Sequence, residues 1–353
     1  MHNFFYFNPF FLLKKNPQSL IFFVTAKCNC LCKMCFYLKQ INNQNIENEL
    51  TLDEITKFSK NYGKLKFFAL SGGEPLLRKD LIDIIDIFAI NNNPQIIDLP
   101  TNGSLTNELT EFINYLCPKY KNILFNIQLS VDALNEQHNS IRNHPNLFEK
   151  IKITNEALKK LSASHINLKT QIVTVLSKFN LDNIFEFYSY IDKHFFCDRY
   201  IISDAHGAID KDKINTNNYK QIYKFVYQLN KKKCSDFISR FYNDCNLLTY
   251  NRFNKIKVSA NLGKYCKAGQ KNIVLRENGD ICACEPLWYN FGNIRDYNYN
   301  IKKILSSGKA RDFYKNIRNK CHCNWSCAQT NALIYNPNNW HLIFKNFIKN
   351  LII

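Results

Sequence analysis

Six short apolar runs alternate with helical patterns between residues 20 and 205. This alternation is typical of parallel βαβ units, in which each strand is followed by a helix. Six units are too few for a closed eight-stranded barrel, but they can curl into an open one whose active face is formed by the loops after the strands. We therefore predict an α/β fold with a partial (β/α)6 barrel over residues 18–209. The predicted strands are Leu20–Thr25, Leu65–Leu70, Gln95–Leu99, Asn122–Ser130, Asn167–Val175 and Arg199–Ser203.

The rest of the chain divides by composition. Residues 1–17 form an N-terminal extension, and residues 210–262 form a lysine-rich connection of helical pattern. Residues 263–335 are rich in cysteine and contain Asn278-Gly279 between two apolar runs, which predicts a β-hairpin in a small α+β domain. Residues 336–353 repeat apolar residues at helical spacing and predict an amphipathic helix.

Composition limits the classes of protein to which the chain can belong. The chain has 353 residues and 14 cysteines, and in so long a chain clustered cysteines favour metal ligation in a reducing compartment, so we expect a cytoplasmic protein. No apolar run is long enough to span a bilayer, and residues 1–17 lack a signal-peptide pattern. The C-terminal helix leaves peripheral membrane contact open. The net charge is +18, but the lysines are scattered, so a nucleic-acid partner is not expected.

Three cysteines carry the strongest chemical signal. Cys28, Cys32 and Cys35 lie in the loop after the first predicted strand, at spacing Cys-x3-Cys-x2-Cys. Three thiolates can hold three irons of a cubane cluster and leave the fourth iron open. Because Cys30 could supply a fourth thiolate, a zinc site is the alternative.

A glycine pair follows the second predicted strand, within Ser71-Gly72-Gly73-Glu74-Pro75. Glycine is needed where the backbone takes positive φ or approaches another group closely. One βα unit after the cysteines, this pair is expected on the same active face, where Glu74 could accept a hydrogen bond from an ammonium group. Residues 101–103, Thr-Asn-Gly, follow the third strand and are expected on that face too, although Asn-Gly is also a common turn.

Together, the cysteine trio with Phe36 and the Gly-Gly-Glu-Pro segment resemble the radical S-adenosylmethionine (SAM) enzymes over about residues 18–205. The resemblance implies a [4Fe-4S] cluster held by Cys28, Cys32 and Cys35. It also implies S-adenosylmethionine bound at the open iron, reductive cleavage of its sulfonium, and a 5′-deoxyadenosyl radical that abstracts hydrogen from a substrate.

The resemblance also assigns cofactor contacts. Phe36 would lie beside the adenine, and Gly72, Gly73 and Glu74 would meet the methionine end. Ser130 and Asp132 look like the ribose-contacting position, with Arg142 as a carboxylate partner through a charge-assisted bond. Ser130 as a strand-end cap and Arg142 as a surface charge are the alternatives for those two residues.

The cysteine-rich C-terminal region supplies one thiolate before the hairpin, another on its second strand and more from a later loop, enough for a four-cysteine cluster. It resembles the auxiliary-cluster extensions of the SPASM and twitch subfamilies, which implies one auxiliary [4Fe-4S] cluster. A zinc ribbon is the alternative, and Cys282 is treated as a bystander. The preferred ligands are Cys266, Cys284, Cys323 and Cys327, with Cys321 as a rival for one place.

These observations predict an enzyme that abstracts hydrogen from a peptide or a sugar-like small molecule. Its partners would be S-adenosylmethionine and an electron donor protein such as flavodoxin or ferredoxin. Two alternatives remain. The first is an RNA-modifying radical SAM enzyme, which the +18 charge motivates. The second is a non-enzymatic zinc-binding scaffold.

Overall fold

The computed structural model shows a single twisted sheet with helices packed on it. Of the 353 residues, it describes 17–43, 48–205, 216–234, 240, 243–245, 247–248, 266–318, 321, 333, 340–341 and 345. In these residues the strands are β1 (Ser19–Thr25), β2 (Phe67–Gly72), β3 (Ile96–Thr101), β4 (Leu124–Ser130), β5 (Leu168–Leu176), β6 (Arg199–Asp204), β7 (Asn272–Leu275), β8 (Asp280–Cys282) and β9 (Asn290–Asn293).

Helices follow the strands along the chain. They are α1 (Leu38–Asn42), α2 (Leu52–Tyr62), α3 (Leu81–Asn92), α4 (Thr106–Lys119), α5 (Asn135–Arg142), α6 (Leu147–Ser164), α7 (Ile184–His194), α8 (Thr216–Lys233), α9 (Ile301–Leu305) and α10 (Gly308–Asp312). No described helix is long and apolar enough to cross a bilayer.

The predicted barrel is confirmed. The first six strands are parallel and lie in the order β6-β5-β4-β3-β2-β1, which is the arrangement of consecutive βαβ units. Alternate residues of each strand face the helices: Phe22 and Phe68 both pack on Phe88 of α3, with ring centroids 6.2 and 4.3 Å away. This apolar layer between sheet and helices fixes the register, because a one-residue slip would turn the apolar side chains away from the helices.

Local signals in the sequence appear as expected. Thr51 caps α2 in a reciprocal capping box with Glu54, and the apolar stripe of α3 is buried. The predicted hairpin is also present, since β7 and β8 pair antiparallel around Asn278-Gly279, with Gly279 at φ +91°.

The hairpin continues the barrel sheet. β7 pairs in parallel with β1, from Ser19 opposite Asn272 to Phe22 opposite Leu275, and β8 and β9 extend the sheet beyond it. The cysteine-rich C-terminal segment is therefore joined to the strand that precedes the cysteine trio. The predicted amphipathic helix at 336–353 falls largely outside the described residues, of which 340, 341 and 345 are helical.

Candidate active site at the carboxyl ends of the parallel strands

The cysteine trio lies in the loop between β1 and α1, at the carboxyl end of the sheet. Cys32 is buried, and Cys28 and Cys35 are half-buried. The loop turns on itself where the Cys35 amide donates to the Cys32 carbonyl at 3.1 Å, and it contacts α5 where the Lys33 amide donates to the Ile141 carbonyl at 2.9 Å. These two hydrogen bonds fix the backbone of the loop that carries the trio.

The thiols of the trio influence one another. A hydrogen bond from the Cys30 thiol lowers the pKa of Cys28, and the same donor, helped by Arg142, lowers the pKa of Cys32 to about 6. Burial raises the pKa of Cys35 to about 11, and the nearby Cys28 and Cys32 sulfurs add to that rise. The Cys30 amide donates to the Cys28 sulfur at 3.4 Å. Such N–H···S contacts are a common means of tuning iron–sulfur ligands.

These residues fit a thiolate-bound cluster. Three cysteine sulfurs lie near one another, two of them with a lowered pKa, and thiolates are the ligands that iron–sulfur clusters use. Cys30 is almost fully buried, at 1% exposure, and its hydrogen bonds run to its two cysteine neighbours.

Gly72 and Gly73 lie against the backbone just before Cys28, and we call this pair the glycine clamp. A Cβ added to Gly72, which has φ +118°, would lie 2.2 Å from the Thr25 carbonyl oxygen, and one added to Gly73 would lie 1.9 Å from that of Lys27. The amides of Gly73 and Glu74 donate to these same two carbonyls, at 2.9 and 2.8 Å. The close approach expected of these glycines is therefore made to the chain's own backbone, just before Cys28.

Glu74 connects the clamp to the loop after β3. Its side chain is 1% exposed, and its carboxylate accepts from the Asn102 amide at 2.7 Å and the Leu76 amide at 3.3 Å. Burial raises the pKa of Glu74 to about 7. Asn102 in turn donates from its side chain to Asn29 at 2.7 Å. The structure thus brings residues 101–103 to the cysteine loop, as expected from the sequence.

Asp132 and Arg142 form an ion pair behind the trio. The Arg142 Nε lies 2.6 Å from Asp132 Oδ2, and the side chains are 11% and 0% exposed. The other Asp132 oxygen accepts from the Val175 amide at 2.8 Å, so both carboxylate oxygens already have partners within the chain. Ser130 is half-buried at the end of β4. The ribose assignment of Ser130 and Asp132 stays a prediction.

One contact of Arg142 was not foreseen from the sequence. Its Nη1 lies 3.7 Å from the Cys32 sulfur, across 110 positions of chain. The guanidinium therefore stabilises the Cys32 thiolate and the Asp132 carboxylate together. No local pattern connects these residues, and only the βαβ topology brings the end of α5 to the loop after β1.

Phe36 contacts the C-terminal extension, which is the cysteine-rich region at residues 263–335. Its ring stacks on Trp288 at 6.3 Å between centroids with an interplanar angle of 25°. The neighbouring Tyr37 hydroxyl donates to the Glu277 carboxylate, and the Arg276 guanidinium lies 5.5 Å from the Trp288 ring. The residue predicted to lie beside the adenine is thus supported by side chains from the extension.

The structure describes some of the candidate C-terminal cysteines. Cys266 and Cys284 are half-buried, and the Ala268 amide donates to the Cys266 sulfur at 3.4 Å. Cys321 is close enough to Cys266 for that thiol to contribute to the raised pKa of Cys321, after burial. Cys282 packs in an apolar cluster with Phe23 and Tyr37. Cys323 and Cys327 lie outside the described residues.

Comparison with known proteins agrees with this geometry. Residues 22–191 match the Radical SAM superfamily. The chain is 30% identical over 169 residues to GTP 3′,8-cyclase of Clostridium perfringens (strain SM101), a match that covers 46% of this chain and 48% of that protein. The chain therefore aligns with about half the length of this curated relative.

Two solved structures share the fold over most of the chain. Native anSMEcpe with bound AdoMet and Kp18Cys peptide matches with a TM-score of 0.62 at 20% identity, covering 95% of this chain and 97% of that one. Streptococcus suis SuiB bound to precursor peptide SuiA matches with a TM-score of 0.59 at 16% identity, covering 86% and 67%. Taken with the cysteine loop and its glycine clamp, the family match shows that residues 22–191 form a domain of the radical SAM superfamily.

Proposed function

We propose that this enzyme cleaves S-adenosylmethionine reductively and abstracts hydrogen from a peptide substrate. The observation that carries the proposal is the cysteine loop, where Cys28, Cys32 and Cys35 lie together against the glycine clamp. When bound there, a [4Fe-4S] cluster supplies the electron that converts S-adenosylmethionine into methionine and a 5′-deoxyadenosyl radical. The role of the protein is to bind and orient these groups and to exclude water.

Specific residues are proposed to bind S-adenosylmethionine. The Gly72-Gly73-Glu74 segment would meet the methionine end, where the Glu74 carboxylate can accept from the ammonium group. Phe36 would lie beside the adenine, held by Trp288 on its other side. Ser130, half-buried at the end of β4, would reach the ribose, while Asp132 and Arg142 would act from behind the loop through their ion pair.

An auxiliary [4Fe-4S] cluster is the second part of the proposal. Cys266 and Cys321 lie near each other, and Cys284 follows the second strand of the hairpin. With Cys323 and Cys327 these residues supply five candidate thiolates for four positions. The Cys266 sulfur accepts a hydrogen bond from the Ala268 amide, as the Cys28 sulfur does from the Cys30 amide. The cluster would serve as an electron acceptor or relay, and its oxygen sensitivity would suit a reducing cytoplasm.

A peptide is favoured over a sugar-like small molecule as the substrate. Two of the solved structures of similar fold over most of this chain are described with a Kp18Cys peptide and with the precursor peptide SuiA. The relative described as GTP 3′,8-cyclase aligns over a smaller share, 46% of the chain. The net charge of +18 would suit an acidic peptide, and it is also the one observation that favours the RNA-modifying alternative.

Anaerobic reconstitution tests this function. We expect about eight irons and eight sulfides per chain, as two cubanes require, and 5′-deoxyadenosine on addition of dithionite and S-adenosylmethionine. Cys32→Ala should abolish nucleoside formation, whereas Cys327→Ala should remove about four irons and leave some uncoupled cleavage. Cys117→Ala, at an isolated buried thiol in α4, is the matched control and should keep both clusters.

Other outcomes would contradict the proposal. A content of about four irons per chain would contradict the proposed auxiliary cluster. A colourless protein that contains zinc and no sulfide would support the scaffold alternative. Salt-sensitive binding of RNA, with nucleoside formation stimulated by RNA and not by peptides, would support the RNA-modifying alternative.

A further inference from the structure

The interior face of the barrel has two unlike walls. On the side of β1, β7 and β8 the wall is apolar, and Phe23 packs there with Tyr37, Val274 and Cys282. From β3 to β6 the interior side chains are polar, and the proposed cofactor contacts do not use them. We define the polar wall as Asp98, Asn126, Gln128, Gln171 and Arg199.

Strand register places the polar wall on the face of the sheet that points away from the helices. Phe125 of β4 packs on Phe112 of α4, with ring centroids 6.3 Å apart, so its neighbour Asn126 points to the barrel interior. Asp98 of β3 lies directly opposite Asn126 and forms a first row with it. The other three members form a second row, two residues nearer the carboxyl end of β4.

The first row contains two acceptor oxygens that lack a donor. The Asn126 Nδ2 donates to Asp98 Oδ1 at 2.8 Å, and because an ionised carboxylate only accepts, this bond fixes which way the amide points. The Asn126 Oδ1 is therefore left buried with no hydrogen-bond partner, in a residue that is 8% exposed. In the part of the chain that the structure describes, the other Asp98 oxygen, Oδ2, accepts no hydrogen bond. Two adjacent acceptors of this kind indicate a ligand that carries N–H groups.

The charges around the first row favour a cation. Burial raises the pKa of Asp98 to about 6, so its carboxylate is ionised at neutral pH. Arg199 lowers that pKa, but Asp244 lies near Arg199 as well, since both change the pKa of one neighbouring cysteine thiol. Lys169, at the edge of the same face, is paired with Asp198 at 3.2 Å. Two carboxylates against one guanidinium leave a net negative charge among the described residues around the polar wall.

The depth of the first row limits which groups can reach it. Asn126 lies four residues before Ser130, the proposed ribose position at the carboxyl end of β4, which corresponds to about 13 Å along a strand. A substrate that reacts below the ribose must span much of this depth with a narrow, flexible chain. Lysine and arginine side chains combine an apolar stem of that kind with N–H groups and a positive charge.

On the basis of the proposed function, we infer that the polar wall positions the substrate peptide by binding one of its lysine or arginine side chains at Asp98 and Asn126. The Asp98 carboxylate accepts a charge-assisted hydrogen bond from the cation, and the Asn126 oxygen accepts a second bond. A guanidinium can bond to both oxygens at once, because its N–H groups form a planar fork. The net charge of +18 acts on the peptide outside the barrel, whereas the polar wall acts on one side chain inside it.

The test compares peptides that differ in one side chain. The probes are fluorescently labelled pentapeptides with glycine on both sides of a central arginine, lysine or citrulline, which is the neutral analogue of arginine. Fluorescence anisotropy measures their binding to the anaerobically reconstituted enzyme in the presence of S-adenosylmethionine. We expect the wild type to bind both basic peptides about tenfold more tightly than the citrulline peptide. Asp98→Asn, which preserves the shape of the side chain, should bind all three peptides equally.

Two further variants separate recognition from structure. Asn126→Ala removes only the second acceptor and should weaken binding of the arginine peptide by about threefold. Asp83→Asn, the same substitution at an exposed position of α3 outside the barrel, is the matched control and should keep the wild-type preference. The preference should persist at high salt, because a buried pair is screened far less than surface charges. The iron content of each variant reports whether the fold and the first metal site are intact.

Three results would overturn the inference. The first is a wild type that binds the citrulline peptide as tightly as the basic peptides, or that binds neither basic peptide. The second is a preference retained by Asp98→Asn with normal iron content. The third is an equal loss of preference in Asp83→Asn, which would show a general effect of charge. A wild type that keeps the preference but forms no 5′-deoxyadenosine with dithionite would overturn the proposed function and leave the binding site standing.

Discussion

The two cysteine-bearing regions differ in how closely they are packed against the barrel. The loop from Cys28 to Cys35 is held by backbone hydrogen bonds from Gly73, Glu74 and Lys33, in a space too narrow for a Cβ. The C-terminal extension joins the barrel through one short strand pairing, between β7 and β1, and through side chains such as Tyr37 with Glu277.

This difference separates the two proposed metal sites. The first belongs to the barrel itself, since the clamp and the ion pair behind it come from β2, α5 and their loops. The second depends on contacts between the barrel and the C-terminal region, such as that of Tyr37 with Glu277 across 240 positions. We therefore expect changes in the first region to impair the whole protein, and changes at the junction to have smaller, local effects.

The largest effect on stability is expected at the buried ion pair. Arg142→Met leaves the fully buried Asp132 carboxylate without its partner and should lower the free energy of unfolding by about 4 kcal/mol. Chemical denaturation under anaerobic conditions measures this loss in the free energy of unfolding. Adding Asp132→Asn to Arg142→Met should recover part of the loss, because the unpaired charge is removed. A double variant no more stable than the single one would show that the charge is not the cause.

The second-largest effect on stability is expected at the glycine clamp. Gly73→Ala places a Cβ 1.9 Å from a carbonyl oxygen, and the backbone shift that relieves this contact should cost about 3 kcal/mol and reduce iron retention by the first site. Gly308→Ala, where a Cβ meets nothing within 4 Å, is the control and should lower neither the unfolding free energy nor the iron content. Equal behaviour of the two variants would mean that the clamp tolerates a side chain.

A smaller effect is expected where the two regions meet. Trp288→Leu removes the ring that packs on Phe23, Phe36 and Tyr37, and should lower the free energy of unfolding by about 2 kcal/mol while the first site keeps its iron. Phe185→Leu, at a ring that is 41% exposed on α7, is the control. Loss of iron from the first site in Trp288→Leu would contradict the separation of the two regions.

The smallest effect concerns the ion pair between Arg295 and Glu54, with Nε and Oε1 2.6 Å apart. The hydrogen bond from Arg295 lowers the pKa of Glu54 to about 2, from an ordinary value of 4.5. The pair therefore stabilises the fold above about pH 4.5, and this contribution is lost as the pH falls toward 2.

Arg295→Gln should accordingly lower the free energy of unfolding by about 1 kcal/mol at pH 7 and by less at pH 3, as measured by urea unfolding of the metal-free chain. Lys57→Gln, in the exposed pair with Asp53, should make no measurable difference at either pH. A difference for Arg295→Gln that grows on acidification would contradict the assignment.

Patterns within one segment predicted the fold well. The six barrel strands, the Thr51 cap and the hairpin around Gly279 all follow from periodicity and turn chemistry, which depend on neighbouring residues. The pairing of β7 with β1 could not be foreseen, because an unpaired strand edge can accept any strand of suitable pattern.

The site was predictable in its residue types and less so in its contacts. The glycine pair signalled a close approach, but its partners proved to be the carbonyls of Thr25 and Lys27. Asp132, assigned to the ribose from resemblance, lies in an ion pair with Arg142. The glycine contacts join residues on different βαβ units, and no spacing within one segment encodes which units meet. The Asp132–Arg142 pair lies within one unit, ten positions apart, but the sequence alone does not show that the aspartate is fully buried.

The central claim is that the Cys28, Cys32 and Cys35 loop holds a cluster with one iron open to S-adenosylmethionine. The most direct measurement is electron paramagnetic resonance of the reduced, reconstituted Cys327→Ala variant, before and after S-adenosylmethionine is added. We predict a [4Fe-4S]+ signal that shifts on addition and is absent when Cys32→Ala is also present. A signal that S-adenosylmethionine leaves unchanged, or a protein that binds zinc and gives no signal, would contradict the account.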